Sequence, residues 1–300
     1  MHICRLLAFA SLACCATPIL HAQAPASPPA TVPASASAET RLAHISVVSI
    51  GSGDPVVLIP GLASPRAVWD GIAPELARGH RVLLVQVNGF GGDDPGANRS
   101  EGTLAGITSD IVRYLDDNHI RSTAVIGHSM GGLVGMMLAR DHGDRISKLM
   151  IVDSLPFLGT LMGPGASVDS LRPVAQQMRD AIANGNGAQP SPPNMSLTDS
   201  GRAQIGAWLN ASNRAAVGQA LYEDMTTDLR GDVPAIGRVP TTVLYAVPDP
   251  ARAAMFQSVF AGAYAAAPSI RVVPVEGAAH FIMLDQPERF RAAVDSFLAG

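Results

Sequence analysis

Apolar runs alternate with segments of helical spacing from residue 44 to the end of the chain. "HISVVSI" (44–50) and "VVLIP" (56–60) predict two strands joined by a tight turn, Gly51-Ser52-Gly53-Asp54-Pro55. "RVLLVQV" (81–87) predicts a strand that runs into the glycine-rich "NGFGGDDPG" (88–96). In "TLAGITSDIVRYLDDN" (103–118), Leu104, Ile107, Ile111, Val112 and Leu115 share one helical face, with Thr103 as N-cap. "STAVIG" (122–127) predicts a strand, and "MGGLVGMMLARDHG" (130–143) a helix that Gly143 would stop. "KLMIVD" (148–153), "TTVLYAV" (241–247) and "SIRVVPVEG" (269–277) are further strands. "ARAAMFQSVFAGAYAAA" (251–267) predicts a helix, and "QPERFRAAVDSFLA" (286–299) a closing helix with Pro287 near its start.

Continuous apolar strands between helices imply a mostly parallel sheet with both faces covered, an α/β fold. One segment breaks the alternation. From Ser154 to about Pro240 the chain separates two strands by far more than an ordinary crossover. It holds two helical patterns, "SLRPVAQQMRDAIAN" (170–184) and "RAQIGAWLNASNRAAVGQALYEDM" (202–225), split by the loop "GNGAQPSPPN" (185–194). An insertion at the carboxyl edge of a parallel sheet lies where ligands bind, so it is expected to form a helical cap.

Composition adds constraints. A chain of 300 residues that is 47% hydrophobic and 15% charged suits a globular domain with a large core. A net charge of −4 without a basic stripe argues against nucleic-acid binding. At the N-terminus, Arg5 precedes an uncharged apolar run from Leu6 to Leu20, shorter than the ~20 residues that a spanning helix needs. With small residues following, this reads as a secretory signal peptide over 1–22, cut after Ala22. The expected location is periplasmic or secreted, with no stable membrane insertion after cleavage. Cys4, Cys14 and Cys15 all lie in this segment, so the mature chain should hold no disulfide and no thiolate site. Lipidation of Cys14 or Cys15 is the minor alternative. Residues 23–38 form a Pro/Ala/Ser-rich linker, and the folded domain is expected over 39–300.

The chemistry points to "AVIGHSMGGLVGMML" (124–138), where a strand gives way to a helix through G-x-S-x-G. A serine on so sharp a turn needs small neighbours, here Gly127 and Gly131. The turn would lift the Ser129 hydroxyl above the sheet and leave the Met130 N–H at a helix N-terminus, facing an oxyanion. Glycines used for close packing alone would give the same five letters, but the strand-to-helix context favours a nucleophile.

From Ile45 to Leu298 the chain resembles the α/β-hydrolase family, in its serine esterase and lipase-like branch. "VVLIPGLASPRAVWD" is similar to that family's oxyanion loop, "NGFGGDDPG" to its glycine loop and "GHSMGG" to its nucleophile elbow. "KLMIVDS" and "GAAHFIMLDQPERF" are also typical of it. Pro60, Asn88, Ala246 and Ala279 depart from the common residues without removing a catalytic group.

The resemblance implies a triad in the order serine, acid, histidine. A serine hydroxyl needs a base at neutral pH, and His280, on the loop after the last strand, is the candidate. His128 sits on the elbow itself and should point elsewhere; His80, His119 and His142 stand at element ends. For the acid, Asp249 follows "TTVLYAV" and fits the family's order; Asp153, ending "KLMIVD", is the second candidate, with a turn or cap role as its alternative. Asp285 and Glu276 are expected in solvent. The second oxyanion donor is expected to be the Leu62 N–H, with Gly61 allowing the turn.

No metal or cofactor is expected: the histidines are scattered, there is no H-E-x-x-H, and neither glycine-rich loop has a phosphate-binding pattern. The insertion's larger groups, Phe157, Met162, Met178, Trp208 and Met225, divide between its own core and a pocket. The expected substrate is a small or medium apolar carboxylic ester, cleaved through an acyl-serine intermediate. The same triad would serve a lactonase, an amidase or a carbon–carbon bond hydrolase, and a non-catalytic hydrolase-like binding protein is the alternative from another class.

Overall fold

The computed structural model describes residues 38–163, 165–185 and 195–300. The expected signal peptide, the three cysteines, residues 23–37 of the linker and residues 186–194 of the insertion's loop lie outside the described residues. The strands are β1 (Thr40–Arg41), β2 (Ile45–Ile50), β3 (Asp54–Ile59), β4 (His80–Val87), β5 (Thr123–His128), β6 (Ile146–Val152), β7 (Thr241–Val247) and β8 (Arg271–Glu276). The α-helices are α1 (Ala73–Leu76), α2 (Thr103–Asp117), α3 (Met130–Asp141), α4 (Val168–Asn184), α5 (Asp199–Ala211), α6 (Arg214–Thr226), α7 (Val233–Ile236), α8 (Ala253–Tyr264), α9 (Ile282–Asp285) and α10 (Pro287–Ala299).

Among the described residues the strands form one sheet, in the order β1-β2-β4-β3-β5-β6-β7-β8. The pairs β1–β2 and β2–β4 are antiparallel, and every pair from β4 to β8 is parallel. The apolar runs explain this arrangement, because a strand buried on both faces has no polar side to give to water. In β3, Val57 and Ile59 enter one core while Val56 and Leu58 enter the other. β5 divides in the same way, with Val125 on the first side and Ala124 and Ile126 on the second. α2, α3 and α8 cover the first face, through residues such as Ile107, Leu133 and Phe260. α1, α9 and α10 cover the second, through Leu76, Ile282 and Phe290.

The first two strands and the turn between them form as expected, and two details of the arrangement go beyond the sequence-based reading. The turn after β2 does not pair β2 with β3, because β4 lies between them, antiparallel to β2 (Val47↔Val85) and parallel to β3 (Val57↔Leu83). The turn instead folds tightly against the end of α1. Gly51 has φ +73, and a Cβ there would stand 2.4 Å from the carbonyl oxygens of Ala77 and His80. The second detail concerns the insertion between β6 and β7. Its long second helical pattern is two helices, because Asn213 breaks it and accepts from the Ala216 N–H to cap α6.

The insertion is tied to the sheet domain by polar contacts. The Asn213 N–H donates to Gly89 O (2.7 Å), and the Gly91 N–H donates to Ser212 Oγ (2.8 Å). Glu223 of α6 also caps α2, since its carboxylate accepts from the N–H groups of Gly102, Thr103 and Leu104 at 2.8, 3.1 and 2.8 Å. A carboxylate at a helix N-terminus contributes ~0.3–1 kcal/mol, and up to ~2 in partly buried geometry. Thr103 begins α2 but does not cap it; its hydroxyl donates to Ser100 O (3.2 Å).

Candidate active site

β5 ends at His128 and α3 begins at Met130, which leaves Ser129 alone on the turn at φ 53°, ψ −124°. Positive φ at a residue with a side chain is strained, and such strain persists where its surroundings enforce it. A Cβ at Gly127 would meet Gly131 O at 2.1 Å. A Cβ at Gly131 would meet Ile59 O at 2.3 Å and Pro60 O at 2.6 Å. No other residue type fits at either position, so β3, β5 and α3 close around the serine.

After β8 the chain turns at Gly277, whose N–H donates to Val247 O (2.9 Å), and presents His280. His280 Nδ1 lies 2.7 Å from Asp153 Oδ2. The other oxygen, Asp153 Oδ1, accepts from the Ala246 N–H (2.8 Å), and the Asp153 N–H donates to Leu244 O (2.7 Å). Asp153 has φ 48°, a second strained residue at a strand end. Both oxygens of the carboxylate are thus engaged.

Chain order favoured Asp249, and the structure corrects this. Asp249 lies past the end of β7, where its Oδ1 accepts from the Ala251 N–H (2.9 Å) and caps a short 3₁₀ turn, Pro250–Arg252. It makes no hydrogen bond to His280. Because β6 and β7 are neighbours in register (Val152↔Leu244), Asp153 stands beside Ala246 and occupies the imidazole's Nδ1 side.

Two residues near His280 were read incompletely from sequence. His128, expected to point elsewhere, makes no hydrogen bond to Ser129 among the described residues, yet it belongs to the site. Its Nε2 lies 3.0 Å from the His280 carbonyl, which can only accept, so Nε2 carries the proton. Burial, followed by the nearby His280 charge, pushes its pKa well below the usual histidine range, and the hydrogen bond opposes this only in part. His128 therefore stays neutral, with its ring 4.7 Å from those of both His280 and Phe281. Asp285 was expected in solvent. It accepts instead from the Ala279 N–H (2.8 Å), Ser196 Oγ (2.5 Å) and the Leu197 N–H (3.0 Å), pinning the insertion to the His280 loop.

Ser129, His280 and Asp153 line one cavity of about 1160 Å³. Ser129 Oγ has no hydrogen-bond partner among the described residues, and Ser129 and His280 meet only across this space. The Met130 N–H opens α3, where a helix leaves its first amide groups without an internal acceptor. The Leu62 N–H is likewise without an acceptor among the described residues, and Leu62 lines the cavity. Gly61 packs on the elbow, where a Cβ would lie 3.0 Å from Ser129 Cβ. The rest of the wall is mainly apolar and comes largely from the insertion and α8, including Met178, Ile205, Leu221 and Phe256. Of the other large groups, Phe157 and Met225 form a separate core with Leu171 and Ala175, and Met162 is exposed. Trp208 packs near Phe281 (6.4 Å between rings).

The model of the alpha/beta hydrolase family matches residues 56–293. The chain belongs to this family. It is 26% identical over 254 residues to the N-formylmaleamate deformylase of Pseudomonas putida, covering 83% of this chain and 90% of that protein. It is 37% identical over 112 residues to a pimeloyl-[acyl-carrier protein] methyl ester esterase of Aeromonas hydrophila, covering 37% of this chain. That match spans 42% of the esterase's own length. A solved hydrolase structure from Pseudomonas aeruginosa superposes with a TM-score of 0.65 at 26% identity, over 87% of this chain and 98% of that one.

Proposed function

We propose that this α/β hydrolase is a serine ester hydrolase, with Ser129 as nucleophile, His280 as general base and Asp153 as the acid that orients it. The 2.7 Å contact between His280 Nδ1 and Asp153 beside a strained Ser129 carries the reading. Asp153 accepts a hydrogen bond from the Nδ1–H, which leaves the Nε2 lone pair free for the Ser129 proton. Ser129 Oγ attacks the acyl carbonyl, and the Met130 and Leu62 N–H groups hold the oxyanion. The tetrahedral adduct collapses to an acyl-serine as His280 gives its proton to the leaving alcohol. Water, deprotonated by His280, then releases the carboxylic acid and restores Ser129. The inserted helices act as a cap whose apolar wall takes the acyl or alcohol chain. The resemblance to a methyl ester esterase supports an ester, and the longer match to a deformylase keeps an amide as the second reading.

A fluorophosphonate probe, followed by a series of p-nitrophenyl esters of increasing acyl length, tests this. Stoichiometric phosphonylation of Ser129 and hydrolysis of short to medium esters are the expected results. A chain that takes no label and cleaves no ester is a hydrolase-like binding protein instead.

We also infer export, on the strength of Arg5, the apolar run to Leu20 and the small residues beyond it. Mass spectrometry of protein recovered from the periplasm or medium should find a mature N-terminus near Gln23. An intact Met1 on cytosolic protein overturns this, and a lipid on Cys14 or Cys15 replaces it with an anchored form.

A further inference from the structure

One carboxylate of the cavity wall has no evident task in the fold. Asp224 lies on α6, and Arg214, Val217, Leu221 and Asp224 all line the cavity that holds Ser129. Their spacing places them on one helical face. That face is apolar at its centre and ends in a carboxylate. Among the described residues Asp224 has no hydrogen bond and no ion pair.

Asp224 is also unable to turn away. The adjacent Glu223 is held by the N–H groups of Gly102, Thr103 and Leu104, which fixes how α6 is rotated about its axis. With α6 held in this rotation, Asp224 lies on the cavity side. Enclosure by protein pushes its pKa up to about 7, and the only charge that acts against this is His280's. Arg214, about 15 Å away along the helix axis at ~1.5 Å per residue, has no part in it. Nor has Arg252, which stacks on Phe256. The carboxylate thus shares one cavity with Ser129 and His280.

Asp224 is part-buried, and in a mainly apolar wall its carboxylate loses hydration that a bound donor can replace. Water alone would not require it to sit on this face, since any small polar residue would serve. We propose that Asp224 is a specificity-determining residue that accepts a hydrogen bond from an N–H or O–H group of the substrate, close to the scissile acyl carbonyl. The substrate class is then an ester or lactone with an acylamino, ammonium or hydroxyl group near that carbonyl and an apolar remainder along Val217 and Leu221. This rests on the serine hydrolase reading above and narrows it.

The test compares p-nitrophenyl esters of matched length: an unsubstituted alkanoate, its α-acylamino analogue, its α-hydroxy analogue and its α-ammonium analogue. For the wild type, kcat/KM should favour at least one donor-bearing ester over the alkanoate after correction for the esters' intrinsic reactivity to hydroxide. In Asp224→Leu that ratio should fall about 10- to 100-fold, the range for a hydrogen bond to a charged group. Asp224→Asn, which keeps the shape without the charge, should lose most on the ammonium ester. An effect on the ammonium ester alone identifies the donor as a cation; an effect on the amide or hydroxyl ester identifies a neutral donor. A wild-type ratio near one overturns the assignment whether or not either variant folds, and so does an unchanged ratio in Asp224→Leu. Fluorophosphonate labelling of the wild type separates the two readings. Labelling without donor preference removes only the Asp224 assignment, whereas no labelling removes the hydrolase reading beneath it.

Discussion

Ser129→Ala and His280→Ala each lower kcat by roughly 10⁴- to 10⁶-fold, and the double variant is little worse than either. The reason is that in the proposed mechanism the hydroxyl and the imidazole act in one step. Without Ser129 Oγ no acyl-enzyme forms, so the base has no proton to take. Without His280 the hydroxyl is a poor nucleophile at neutral pH. The remaining rate comes from oxyanion donors and binding, which neither change touches. Both variants should fold, since alanine at 129 keeps the Cβ that the elbow already accommodates at φ 53°. Circular dichroism beside the kinetics checks this. A Ser129→Ala protein that keeps more than about a tenth of its activity is incompatible with the mechanism. Equally so is a double variant whose loss is the product of the single losses.

The second large effect separates the two candidate acids. Asp153→Asn should lower kcat about 10⁴-fold, while Asp249→Asn should change it little. The Ala246 N–H, which donates to Asp153 Oδ1, makes the first outcome sharp. An asparagine at 153 must turn its carbonyl oxygen to that donor. Its NH₂ group then faces His280 Nδ1 and donates where the carboxylate accepted. The imidazole is driven into the tautomer with its proton on Nε2, which cannot take the proton of Ser129. At position 249 an asparagine oxygen still accepts from the Ala251 N–H, so the turn it caps survives. Steady-state kinetics on both variants decides the matter, and a severe Asp249→Asn with a mild Asp153→Asn reverses the assignment.

Much of this architecture was legible along the chain. The central strands β3 to β7 announce themselves because most of each is apolar on both faces, and a parallel sheet covered by helices buries such a run. The elbow was legible for a similar reason. Gly127 and Gly131 are demanded by contacts of 2.1–2.3 Å that no side chain could survive, so the constraint is written into the residue types themselves. His280 followed as the histidine on the last strand's loop. The long insertion betrayed itself by length alone.

The pairing of β2 with β4 rather than β3 was not legible, since hydrophobic pattern identifies a strand but not its neighbour. Nor was the exchange of one acid for another. Asp249 and Asp153 both follow apolar strands, and nothing local distinguishes them. The choice depends on β6 and β7 lying side by side with Val152 opposite Leu244, which brings the Ala246 N–H and His280 to one carboxylate. The same holds for Glu223 on the α2 amides, Asp285 between the insertion and the His280 loop, and Asp224 facing the cavity. In each case a side chain's role is set by groups dozens of residues away. Residue type and spacing determine what can form a strand, a helix or a nucleophile's turn, because those depend on the chain's own sterics and apolar periodicity. Which carboxylate meets which donor is settled by packing, when elements remote in sequence are pressed together and their polar groups must find partners.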